Sequence, residues 1–349
     1  MILLVVAVIT GVTCFALATA ALGRPTLPFG VRVAAVRADD PAIVAQRRIY
    51  TRLVLSAAVL AAVLAVALEL GALAVAVALG VADMAFYYLA YRRIRAVKRQ
   101  EWWQAEHRYG VTVDTSFRTN PVRIPWLWLT PAVAVLVVTV TIGWGHRLDT
   151  VLVGTGLVGT VLGQLGATVL MPVVALLVLR ARPDLDAARP VASARRYRVY
   201  LLGTARLVLL LATAINLQLL LRALPQWGLV PRTTFWTAAQ FVPLGLVVLG
   251  FLYWEFRVGQ AGHRLPALPG EADENTGVVQ RDDDKYWFLA GMIYVNRRDP
   301  AVLVHRRVGV YWTLNLGHPV AWLVLAAVLV TALLTGLGVI DPPQRQNWF

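Results

Sequence analysis

Eight apolar windows govern what this chain can become, at residues 1–23, 53–70, 71–91, 126–144, 151–179, 200–221, 236–256 and 320–340. A helix needs roughly 20 apolar residues to cross a hydrocarbon core. Lipid offers backbone N–H and C=O groups no partner, so only an internally bonded segment is admitted. The windows therefore predict an all-α polytopic membrane protein with eight transmembrane helices. The second and third windows share a tight turn at Glu69-Leu70-Gly71. A composition of 58% apolar and 15% charged residues fits the same class.

Cationic residues test the map independently. Lys and Arg number 33, and the segments 24–52, 92–125, 180–199 and 257–318 hold 6, 8, 6 and 8 of them. The alternate connections hold only Arg147, then Arg222 and Arg232, with Arg345 in the tail. The positive-inside rule then expects the four rich segments in the cytoplasm and both termini outside, as in a bacterial inner (cytoplasmic) membrane protein. The formal net charge of +14 follows from this topology and from nearness to anionic lipid, and nucleic acid is not an expected partner. No Lys or Arg precedes the first apolar run, so an uncleaved helix is expected there despite the small-residue pattern Ala18-Thr19-Ala20. Cys14 is the sole cysteine, which excludes an intrachain disulfide or a cysteine metal cluster.

The expected organisation runs from a first four-helix half (1–144) through helices five to seven (145–256) to a flexible linker (257–281). A small cytoplasmic, β-containing insert (282–319), the last helix (320–340) and a tail (341–349) complete it. The linker has the Gly and Pro content of an unstructured connection. Within the insert, Tyr286 to Val295 and Val302 to Leu316 are rich in aromatic and β-branched residues, which predicts short strands or a hairpin around Asn296 to Pro300. The loops also rhyme. His107 leads to Pro121 and the fourth span, and His305 leads to Pro319 and the eighth, at equal spacing. Trp102-Trp103 and Tyr286-Trp287 precede the two phrases. A parallel 4+4 repeat would produce this, and so would interfacial anchors of the ordinary kind.

Chemical motifs are few. Gly154-Thr155-Gly156-Leu157-Val158-Gly159 has a dinucleotide-binding spelling but lies inside the fifth window without a preceding strand, so Gly159 and Gly163 are expected to pack helices. Glu271, Asp273, Asn275 and Asp282 echo a calcium loop, with Thr276 where its sharp turn needs glycine. The histidines at 107, 146, 263, 305 and 318 have no metal-ligand spacing. No catalytic residues, cofactor or metal are expected.

Intramembrane polar groups carry more weight, because each is expensive in lipid. Asp83 lies eight residues from Tyr91 and Arg206 six past Tyr200. At 1.5 Å per residue these are roughly 12 and 9 Å from the same face. A buried Asp83–Arg206 pair fits those depths, and so does an Arg206 that snorkels to the surface. Asn216, Gln218 and Gln240 are expected to glue helices or line a cavity.

The insert carries a recognisable phrase. Its parts are Asp282 to Asp284, Lys285-Tyr286-Trp287, Ile293 to Asn296, Asp299-Pro300, Arg306-Arg307, Gly309, Trp312 to Asn315, Gly317 and Pro319. Asp282 to Pro319 resembles a bacterial domain of unknown function, number 5808 in that nomenclature, usually attached to multi-span membrane proteins. Where that family has Asn-Pro, this chain has Asn296-Arg297. Phe29-Gly30-Val31-Arg32-Val33 and Asp40-Pro41 are similar to the first cytoplasmic loop of distant SdpI-type membrane proteins. That resemblance implies immunity-like or signalling roles. The outer-loop Pro-x-His segment of that group is absent, and only Gly145 to Thr150 joins the fourth and fifth windows.

Taken together, the expected function is non-enzymatic, with signalling, immunity-like or partner binding through the cytoplasmic insert. Asp284, Tyr286, Trp287, Tyr294, Asn296, Trp312 and Asn315 are its candidate partner-binding or structural residues. A small-molecule transporter or channel with a cavity between helix halves is the alternative. The lipid bilayer is the expected partner, together with a protein that the sequence does not identify.

Overall fold

The computed structural model describes residues 2–103, 108–110, 116–146, 156–183, 185–271, 273–280, 283–309 and 311–336. The helices are α1 (Ile2–Leu22), α2 (Pro41–Ala67), α3 (Ala72–Gln100), the short α4 (Ser116–Thr119), α5 (Thr130–Gly145), α6 (Leu157–Arg180), α7 (Pro190–Gln226), the short α8 (Thr234–Ala239), α9 (Val242–Val258) and α10 (Pro319–Gly336). Among the described residues, seven helical segments are long and apolar enough to cross a membrane. The eighth apolar helix, α10, has 18 described residues, and residues 337–340 of the expected last span lie outside them.

The chain divides into two compact units. The first holds Met1–Asp114, Arg182–Tyr197 and Val258–His318; the second holds Thr115–Ala181, Arg198–Arg257 and Pro319–Phe349. The unit edges at 257/258 and 318/319 lie within one residue of the expected edges of the linker and insert, whereas the expected break at 144 falls inside the second unit. Chain order reports neighbours along the backbone, whereas compactness follows which segments pack together.

In the first unit α1, α2 and α3 form a three-helix bundle. Pro41 opens α2 behind the N-cap Asp40, whose carboxylate accepts from the Ala42 N–H at 3.0 Å. The turn into α3 is where the sequence places it, with Glu69 at φ 51° and Leu70 N–H bonded to the Ala65 carbonyl. An aromatic triad fills one end of the bundle: Phe29, Tyr50 and Tyr87 meet edge to face at 5.3–5.9 Å. The Tyr50 hydroxyl donates to the Ala16 carbonyl at 3.1 Å, which ties α2 to α1. Ala290 and Val308 of the insert join this same core.

Three small sheets accompany the bundle. Strand β1 (Arg108–Gly110) pairs in parallel with β2 (Val278–Gln280). Strand β3 (Trp287–Phe288) pairs antiparallel with β4 (Ile293–Tyr294), and β5 (Leu303–His305) with β6 (Trp312–Leu314). The expected hairpin around Asn296 to Pro300 is thereby corrected. Each run folds on itself instead, because Ala290 (φ 57°) and Gly291 (φ 88°) turn the chain inside the first run. The Arg306 N–H bonds to the Tyr311 carbonyl across the second.

The expected linker is anchored rather than free. Arg195 grips Glu271 at 2.5 and 2.8 Å, and Thr276 donates to the Ala187 carbonyl at 2.6 Å. Glu274 accepts from the backbone N–H groups of Val191 and Ala192 at the start of α7, where a carboxylate is favoured by the helix dipole. Polar side chains scattered through a Gly/Pro-rich stretch were the signal for this.

In the second unit α5, α6 and α7 share a buried polar junction. Gln164 donates to the Thr139 hydroxyl at 2.8 Å and the Asn216 carbonyl at 3.0 Å. Asn216 donates to the Ala132 carbonyl at 3.0 Å and to the Thr168 hydroxyl at 2.9 Å. A Cβ on Gly163 would lie 3.2 Å from the Leu219 side chain, so this glycine lets α6 approach α7 closely. Gly154 and Thr155 of the dinucleotide-like spelling lie outside the described residues.

Candidate functional site

The strongest concentration of chemistry is a buried ion cluster in the first unit. Asp283 and Asp284 precede the short turn into β3. Lys98 comes from the last turn of α3, Arg32 from the loop after α1, and Arg307 from just after β5. Lys98 Nζ donates to Asp284 Oδ2 at 2.7 Å and to the Arg32 carbonyl at 2.6 Å. Arg307 grips both carboxylates and also donates to the Gly30 carbonyl at 3.0 Å. Arg32 adds its backbone N–H to Asp284 and its guanidinium to Asp283 at 3.4 Å. The side chains of Arg307, Lys98 and Asp284 are only 2%, 7% and 12% exposed, so water solvates these charges little and they solvate each other. Burial alone pushes the Asp284 carboxyl up, but Arg307 and Lys98 outweigh it and hold it well below the usual carboxylate range.

Two glycines allow this assembly. A Cβ on Gly30 would lie 2.2 Å from the Ala290 carbonyl oxygen, and one on Gly291 would lie 2.7 Å from Arg307 Cβ. Both have positive φ, so the first loop and the insert meet backbone to backbone at positions that only glycine serves without strain.

Beside the cluster sits a small aromatic core. Trp287 and Tyr294 pack at 4.8 Å, Tyr286 joins Tyr294 at 6.4 Å, and Val304 closes the group. The Arg307 guanidinium lies 5.3 Å from the Trp287 ring centre, which carries the ion cluster into this core. Tyr294 donates to Asp299 at 2.9 Å, and Arg182 pairs with that same carboxylate.

Asn315 holds the turn from Asn296 to Ala301. Its amide nitrogen lies 2.9–3.1 Å from the carbonyl oxygens of Asn296, Asp299 and Ala301. Its oxygen accepts from the N–H groups of Asn296 and Gly317 at 2.9 and 3.0 Å. One fully buried side chain thus satisfies five backbone groups that a short irregular turn leaves without a ladder.

The residues expected from sequence therefore fall into distinct places. Asp284 belongs to the ion cluster. Tyr286, Trp287 and Tyr294 build the aromatic core, Asn296 donates to the Tyr294 hydroxyl at 3.1 Å, and Trp312 lies 5.2 Å from the His305 ring on the second hairpin. In the membrane-type helices, the buried Asp83 oxygens of α3 have no hydrogen-bond partner among the described residues, and the Arg206 guanidinium of α7 lies 5.6 Å from the Trp128 ring. Asp83 and Arg206 belong to different units. His107 and Asp282 lie outside the described residues. No group of three or more metal-capable side chains occurs among the described residues.

Sequence reasoning missed Lys98 and Arg182, which read there as two cations among many, and it quoted Arg32 and Arg307 only as parts of family-like phrases. It also missed Glu255, a fully buried carboxylate in α9 that accepts from the Tyr200 hydroxyl at 3.2 Å. That one was legible, as a lone acid inside an apolar run.

His263 supplies a pH-dependent term. Burial, aided by the charges of Arg24, Arg264 and Arg196 and opposed by a bond to the Gln260 carbonyl, pushes its imidazole down to about 4. The unfolded chain takes up this proton near 6.5 and the folded one resists it. The stability from the neutral ring is therefore complete above about 6.5 and is lost as pH falls towards about 4. The apparent melting temperature in mild detergent is expected to fall through that window, and His263→Gln to flatten the fall; a profile identical in wild type and variant would refute the assignment. Glu271 acts separately: its bond to Arg195 holds it at about 2, so its contribution fades only below 4.5.

With this geometry in view, comparison with known proteins adds one finding. Residues 297–322 match a family of unknown function, DUF5808. The match takes in Asp299, Arg307 and Asn315 and runs into the first turn of α10. It leaves out the acidic pair, Tyr286 and strand β3. No curated protein and no solved structure matches the chain.

Proposed function

We propose that this chain is a non-enzymatic, multi-pass protein of a bacterial cytoplasmic membrane, with eight spans and both termini outside. Its 282–319 insert is a rigid cytoplasmic platform for a protein partner, in a signalling or immunity-like role. One observation carries the reading: the insert separates residues that lock it from residues that it displays. Asp284, Arg307, Tyr294 and Asn315 are committed to internal bonds. Phe288 and Leu289, at the turn of the first hairpin, are 52% and 57% exposed, and Tyr311 is 44% exposed. Large apolar side chains held outward on a rigid frame are what partner recognition uses.

Topology has its own support. All four cation-rich segments contribute residues to the first unit, as a common side of the membrane requires. The transporter alternative has less, because the amide nitrogens of Asn216 and Gln164 donate between helices.

The test places a photo-crosslinking residue at Phe288 in living cells. A discrete protein adduct is expected there and none at the exposed Leu333 of α10. Phe288→Ala with Leu289→Ala should remove the partner without changing the melting temperature. Equal adducts at both positions, or labelling of R298C by an impermeant thiol reagent in intact cells, would sink the proposal.

A further inference from the structure

The second unit contains an open cavity of about 380 Å³, within the size range of small-molecule sites (roughly 300–1,000 Å³). Segment 120–123 forms one wall, and Arg198, Val199 and Leu202 of α7 form the other. The lining is mainly apolar, with Val122, Val199 and Leu202, and two guanidinium groups stand among it. Arg198 is held in place: it donates to the Asn120 carbonyl and the Ser116 hydroxyl, each at 2.8 Å, and stacks on Phe117 at 4.4 Å. Arg123 is exposed.

Both arginines occupy the same level. Arg123 is the last charge before the apolar run that ends at α5, and Arg198 is the last before the run of α7 from Val199 to Ala205. The two stretches run side by side in the same direction, since Asn120 meets Arg198 and Trp128 meets Arg206. Trp126 and Trp128, 57% and 39% exposed, follow immediately, as aromatic residues do at a membrane interface. Anion balance completes the argument. Among the described residues of this unit the only carboxylate is Glu255, fully buried and bonded to Tyr200. No carboxylate is among the residues that line the cavity.

We infer that the cavity binds an anionic phospholipid, with the phosphate headgroup between Arg123 and Arg198 and the start of an acyl chain against Val122, Val199 and Leu202. Guanidinium groups match phosphate oxygens in shape and charge, and the apolar wall gives the chain a place that water does not favour. The inference rests on the membrane placement proposed above and refines it to one site.

Lipid retained by the purified full-length protein in nanodiscs tests it. Phosphatidylglycerol should be retained over phosphatidylcholine. Arg123→Gln should lower that retention about fivefold to tenfold, the effect of one charge-assisted contact. Leu202→Trp, which fills the cavity without changing charge, should also lower it, while Arg232→Gln should not. Wild-type retention in both Arg123→Gln and Leu202→Trp, or an equal loss in Arg232→Gln, overturns the site. Inorganic phosphate added to phosphatidylcholine nanodiscs is the second probe: no stabilisation supports the lipid, and stabilisation equal to that by phosphatidylglycerol assigns the site to a free anion instead. Failure of the membrane placement looks different, as protein that does not float with liposomes of any composition.

Discussion

Replacing Asp284 by Asn is expected to destabilise the first unit by roughly 3–5 kcal/mol, the range for breaking a buried ion pair by removing one partner. Lys98 and Arg307 would remain, buried and short of one anion, with Asp283 still paired to Arg307. Thermal unfolding in mild detergent measures this. A neutral partner change supplies the control, because Lys98→Met together with Asp284→Asn removes one charge of each sign. The double variant should lose less than the two single losses combined, since the pair acts as one unit. Strict additivity would mean that Asp284 and Lys98 do not interact. The pH sign follows from the lowered carboxyl: its contribution is present above the ordinary aspartate range and is lost as pH falls below it.

Asn315→Asp is the second large effect, and it keeps the shape of the side chain. The amide nitrogen that faces three carbonyl oxygens becomes an oxygen, so donors are lost and like partial charges meet. Each buried backbone group left without a partner costs about 1–3 kcal/mol, so the three carbonyls together make roughly 3–9 kcal/mol for the site. The turn it releases contains Arg297 and Arg298, both exposed, so trypsin should cut there much faster in the variant. Asn315→Asp with wild-type proteolysis and melting would show that the turn is held by other contacts.

These two residues show how unevenly the chain can be read. The positions of the helices were legible, because a run of apolar side chains is a property of a window and needs no knowledge of neighbours. The turn at Glu69 was legible for the same reason. Asp284 and Asn315 stood out as residues, yet their roles did not. Lys98 and Asp284 are 186 positions apart, and no local pattern marks one cation among many as the one that returns. Short strands were legible in the insert, but the hairpin around Asn296 to Pro300 was not the pairing formed: the chain turns at Ala290-Gly291, in left-handed geometry where it closely approaches Gly30. Glu255 carried a plain signal that partner-seeking among pairs passed over.

By itself, then, the sequence determined the class, the places of the apolar stretches and the segments where cations gather. Hydration free energy acts on each window separately, so these follow from local composition. Tertiary structure alone decided that the first loop, the end of α3 and the insert close on one buried charge cluster, and that a single asparagine serves five backbone groups. Buried charges and backbone groups must be satisfied by whatever lies within a few ångströms, and those neighbours are set by how the helices end and pack, not by order along the chain.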